Sequence, residues 1–144
     1  MVEQDTIKLL RECDAGIKMG VSSIQDVQKF VKSEALRTLL SDCKREHEAL
    51  DRELQALLAQ YQDDGKAPNP IAKGMSWMKT EVMLAFKGGD DTIADLMTDG
   101  CNMGVKSLNR YLNQYKAADE ASKEITKRLI RLEEGLAVDI REFL

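Results

Sequence analysis

Both prolines of the chain, Pro68 and Pro70, fall in one short stretch, DDGKAPNP over residues 63–70. Proline removes a backbone donor and clashes with the preceding turn, so its confinement to one place leaves long runs on either side with nothing that forbids a helix. Aromatic residues are only 5%, and the apolar content is mostly Leu, Ile, Ala, Met and Val. That set suits interdigitating helix faces better than a sheet core, and it predicts an all-α chain.

The 144 residues make one ordinary domain, with 43% hydrophobic and 32% charged residues. This balance excludes a disordered polar chain and a membrane protein. The net charge is −4 with both signs interspersed, so no basic stripe is available for nucleic acid or anionic lipid. MVEQDTIKLL carries early acidic residues and no long apolar run, which predicts neither a signal peptide nor a membrane span and a cytoplasmic address. Cys13, Cys43 and Cys101 are odd in number and form no Cys-x-x-Cys pair, so they are expected to be reduced core residues.

Apolar residues at Ile7, Leu10, Ile17, Val21, Ile24 and Val31 recur at helical spacing and mark a first helix from about Asp5 to Val31, interrupted by polar Asp14 and Gln28. Ser33 is a candidate N-cap for a second helix with its stripe through Leu36, Leu40, Cys43, His47, Leu50, Leu54, Leu57 and Tyr61. A short helix is expected in the crossover, with Ile71, Met75, Met78, Val82 and Phe86 on one face and Gly88-Gly89 as its stop. Asp90 or Asp91 is expected to cap a third long helix, striped by Ile93, Leu96, Met97, Gly100, Met103, Gly104, Leu108, Tyr111 and Tyr115. The fourth starts near Asp119 and runs through Ile125, Leu129, Leu132, Leu136, Ile140 and Phe143. One domain over 1–144 follows: a hairpin over about 5–62, a crossover over 63–90 and a second hairpin over about 91–144. A connection that long allows the chain to return along the bundle before the second hairpin begins.

DAGIKMGVSSI, starting at Asp14, aligns with TDGCNMGVKSL, starting at Thr98, and the two share Gly16/Gly100, Met19/Met103, Gly20/Gly104, Val21/Val105 and Ser23/Ser107. The matched segments open the two hairpins, as an internal duplication requires. Glycine inside a helix costs about 1 kcal/mol relative to alanine, so Gly16, Gly20, Gly100 and Gly104 should be offset by close packing, here expected between the first and third long helices.

With its duplicated hairpin, its crossover, its KMGV and NMGV cores and its IAKGMSWMKTEV segment, the chain resembles an uncharacterised bacterial branch of the ferritin-like four-helix-bundle superfamily, a domain of unknown function whose better-known relatives are described as stress-associated. The resemblance implies a di-iron or di-manganese centre with a Glu from the first and third helices and a Glu-x-x-His from the second and fourth. The residues depart from that set. His47 is the sole histidine and Lys44 stands three before it, while Glu133 and Glu134 are followed three on by Leu136 and Ala137. The first helix offers Asp14, and its repeat partner is Thr98. No cofactor is therefore expected, and iron or manganese held by Asp14, His47 and Glu133 or Glu134 is the alternative.

No phosphate loop or nucleophile elbow occurs, so the expected function is non-catalytic: protein interaction or self-assembly. Metal binding with an altered ligand set and small-ligand carriage are the alternatives. A homodimer is expected, with an unidentified protein partner possible, on the strength of Trp77 and the crossover methionines Met75, Met78 and Met83, with Met97 and Met103 beyond. Asp14 should turn inward and find Arg52 or water, apart from His47.

Overall fold

The structure is a computed structural model that describes residues 3–63, 65 and 88–144. The expected crossover helix, with Trp77, Met75, Met78 and Met83, lies outside the described residues. Among the described residues there are four long helices and no strand: α1 Gln4–Gln28, α2 Glu34–Gln60, α3 Asp90–Gln114 and α4 Glu120–Asp139, followed by a 3₁₀ turn over Ile140–Phe143.

The helices begin and end for local reasons. The Ser33 side chain caps α2 by accepting from Leu36 N at 3.3 Å, and Asp119 caps α4 by accepting from Ser122 N at 2.8 Å. At α3 the expected acidic cap is replaced: the N-cap is Gly89, at φ 93°, with no side-chain cap. Asp90 turns away and accepts from the backbone N–H groups of Lys32 and Ser33, both at 2.8 Å. Its carboxylate thus satisfies two donors at the α1–α2 turn, where α2 starts.

These contacts set the topology. Asp90 holds the start of α3 beside the start of α2, so those two helices run parallel. Thr6 Oγ1 accepts from Asp119 N at 2.8 Å, which puts the starts of α1 and α4 together. Tyr61 donates to Asp119 at 2.7 Å, which brings the end of α2 to the same place. The result is an up–down–down–up bundle of two antiparallel hairpins, with Gln60 and Asp90 at opposite ends. In cross-section α1 packs against α2, α3 and α4, and α4 packs against all three others.

The apolar core falls into two clusters. One, at the α1–α2 turn, contains Ile24, Val27, Leu36, Leu40, Cys43, Ile93, Met97, Cys101, Leu136 and Ile140. The other, at the opposite end, contains Leu10, Cys13, Ile17, Leu50, Leu54, Leu58, Leu108, Ile125, Leu129 and Ile130. The third-helix stripe holds at Ile93, Leu96, Met97, Gly104 and Leu108, but Cys101 faces inward whereas Gly100 is exposed and Met103 is 60% exposed. Among the described residues no helix is long and apolar enough to cross a membrane.

Candidate functional site: a polar waist between two apolar clusters

On each helix one position lies between the two clusters: Gly20 between Ile17 and Ile24, His47 between Cys43 and Leu50, Gly104 between Cys101 and Leu108, and Glu133 between Ile130 and Leu136. Helix register puts all four at one level. Thr6 meets Asp119 and Cys13 meets Thr126 at an offset of 113 residues between the parallel α1 and α4, which is also the offset of Gly20 from Glu133. Ser33 meets Asp90 at an offset of 57 between α2 and α3, the offset of His47 from Gly104. Fourteen residues back from Tyr61 and fourteen on from Asp119, about four helical turns each, are His47 and Glu133.

The two glycines admit these side chains. A Cβ on Gly20 would come within 2.9 Å of His47 Nε2, and one on Gly104 would overlap Glu133 Oε2. Each hairpin therefore seats one polar side chain from its second helix in a glycine notch on its first. The expected close approach of α1 to α3 across the four glycines is not how they are used. Gly16 faces Leu129 of α4 at 3.7 Å, an ordinary contact, and Gly100 has open space where a Cβ would go.

His47 is 2% exposed, and its Nδ1–H donates to the Cys43 carbonyl at 2.8 Å. A carbonyl only accepts, so Nδ1 carries the proton and Nε2 presents a lone pair. Burial lowers the His47 pKa from its ordinary value, which keeps the ring neutral. Glu133 is 9% exposed, and its Oε2 has no hydrogen-bond partner among the described residues. Burial alone pushes its carboxyl up to about 8, so at neutral pH it holds its proton.

The three cysteines are buried and free. Burial pushes the thiols of Cys13, Cys43 and Cys101 up to about 12. A nucleophile or metal ligand must be a thiolate, so these groups are inert in the closed bundle. Cys43 Sγ lies 3.5 Å from His47 Nδ1, but that nitrogen's proton is already given to a carbonyl.

Asp14 belongs to a different layer. It is fully buried, six residues or about 9 Å along α1 from Gly20. Its Oδ1 accepts from Gln55 Nε2 at 2.8 Å and its Oδ2 from Lys18 Nζ at 2.8 Å. The expected partner Arg52 is exposed instead: Gln55, one turn further along α2, is half-buried beside Leu54 and reaches the carboxylate first. A register inferred from the turn alone misses by that one helical turn.

The dinuclear centre implied by the ferritin-like resemblance does not fit these residues. At the waist α1 and α3 present glycine where bridging carboxylates are needed, α2 presents one imidazole and α4 one carboxyl. Asp14 is too far along the axis to join His47, and Glu134 is exposed on the outer side of α4. Among the described residues no three His, Cys, Asp or Glu side chains gather as a metal ion would require. The Glu133 role escaped sequence reading, although a signal existed: a repeated glycine at the same inward position of two helices needs a large opposing side chain.

No protein-family model matches this sequence, and no curated protein matches it. A solved structure, described as the crystal structure of a DUF305 fragment from Deinococcus radiodurans, superposes with a TM-score of 0.76 over 98% of this chain and 95% of that chain. The two share 11% sequence identity, so the likeness shows a common fold and carries no residue roles.

Proposed function

We propose that this chain is a ferritin-like bundle of a branch with stress-associated relatives, one domain over residues 1–144, which works by protein interaction or self-assembly rather than by catalysis. One observation carries the reading. The waist, where a bundle of this topology would house a metal pair or substrate, is filled by His47 over Gly20 and Glu133 over Gly104. The thiols are protonated, the imidazole is neutral with one nitrogen committed to a carbonyl, and the buried Asp14 is paired with Lys18 and accepts from Gln55. No thiolate is available as a nucleophile, and the His47 Nε2 lone pair is enclosed against Gly20 away from solvent. Three free buried thiols suit a reducing, cytoplasmic setting.

The assembly we propose is a homodimer. Met103, 60% exposed on α3, supplies apolar surface beyond what the core needs. Light scattering on protein purified without added metal tests both parts. We expect twice the 16.2 kDa chain mass and no stoichiometric metal on elemental analysis. A chain-sized mass at high micromolar concentration would remove the dimer. Stoichiometric iron or manganese that is lost in His47→Ala would replace the interaction reading with a metal-binding one.

A further inference from the structure

Glu133 poses a problem that its surroundings leave open. Among the described residues it is the one acid in a layer between two apolar clusters, its Oε2 lies against the bare backbone of Gly104, and that oxygen has no partner among them. The titratable groups nearest its level are His47 and Cys43 from α2 and Cys101 from α3, while on α1 the Lys18–Asp14 ion pair and Cys13 lie toward the next layer. The thiols and the imidazole are neutral at pH 7 and the Lys18 ammonium is bound to Asp14, so among the described residues nothing at this level compensates a carboxylate. A charge buried without a partner is far more costly than a neutral acid in the same place.

We propose that the waist is a proton-held latch: neutral Glu133 seated over Gly104 keeps the bundle centre closed, and the ionised side chain leaves the notch and opens the centre, with its three thiols, to solvent. The notch itself makes the movement feasible. Glycine at 104 leaves no side chain for Glu133 to interlock with, so only burial of the neutral acid holds it there. Burial places the changeover near pH 8, the value to which the carboxyl is raised.

The test is iodoacetamide labelling of the native protein between pH 6 and pH 7.5, with each cysteine followed by peptide mass mapping. Thiol ionisation alone raises the rate about tenfold per pH unit. An opening step that also requires loss of the Glu133 proton raises it about a hundredfold per unit in the native protein. Glu133→Gln should return the slope to about tenfold, and urea-unfolded protein should show that slope throughout. Equal slopes in the native protein and in Glu133→Gln would overturn the latch. Should the variant not fold, infrared spectroscopy of the unmodified protein decides. A protonated-carboxyl band present at pH 6 and gone above pH 9 supports the latch, and its absence at pH 6 would refute it.

Discussion

The two hairpins solve the same packing problem with opposite chemistry. In the first, a base fills the notch: His47 sits over Gly20 and is anchored by its donation to the Cys43 carbonyl. In the second, an acid fills it: Glu133 sits over Gly104 with an oxygen left over. The two notches share the glycine and differ in the residue that fills it, and the acid notch is the weaker of the two because its occupant lacks an anchor.

The largest expected effect follows from that asymmetry. The Glu133 carboxyl is raised from 4.5 in the unfolded chain to about 8 in the folded one, so its contribution is fully present below pH 4.5 and is lost as the pH rises to about 8. The loss should be on the order of 4 kcal/mol, measured by urea unfolding at intervals between pH 5 and pH 9. Glu133→Gln should flatten the curve over that window. His47 works in the other direction. Its folded pKa lies below the ordinary 6.5, so stability falls as the pH drops below 6.5 toward the folded value, and His47→Gln should remove that slope. If both variants kept the wild-type curves, the contrast between the notches would be void.

Next in size are substitutions that crowd the notches. Gly104→Ala puts a methyl group where Glu133 Oε2 lies and should destabilise by about 1–3 kcal/mol. Gly20→Ala meets the His47 ring edge at 2.9 Å, a milder overlap than at Gly104, so its cost should be smaller; the helix propensity gain of about 1 kcal/mol offsets part of the cost at both positions. A larger loss at Gly20 than at Gly104 would reverse the ranking of the notches.

The smallest effect has the opposite sign. Gly100 belongs to the same repeat but opens to solvent, so Gly100→Ala should stabilise by about 0.5–1 kcal/mol in thermal or urea unfolding. A destabilising Gly100→Ala would mean that this face of α3 is covered in solution, as the proposed dimer would allow.

Much of the fold was legible in the sequence because it is local. Ser33 and Asp119 cap the helices where their side-chain chemistry predicts, and the four stripes mark four helices. What was not legible depends on phase and register between helices. Met103 and Gly100 fit the third stripe by spacing, yet Cys101, at its edge, is the residue that turns inward there while Ile93, Leu96, Met97 and Leu108 hold their places. Arg52 and Gln55 differ by one turn, and only the packed turn decides which meets Asp14. The Glu133 notch needs the register of α4 against α3, and although the repeated glycine marks the notch, no stretch of sequence says which α4 residue fills it.

Asp90 has a consequence for the order of folding. Its bonds to Lys32 and Ser33 close a loop of 57 residues, whereas the contacts inside each hairpin bridge a short turn. Closing a longer loop costs more chain entropy, and contacts of low sequence separation form sooner. Each hairpin should therefore zip from its own turn, and the Asp90 clasp should close only as the two dock. Asp90→Ala should then mainly speed unfolding and leave the refolding rate almost unchanged, as a low-φ position does.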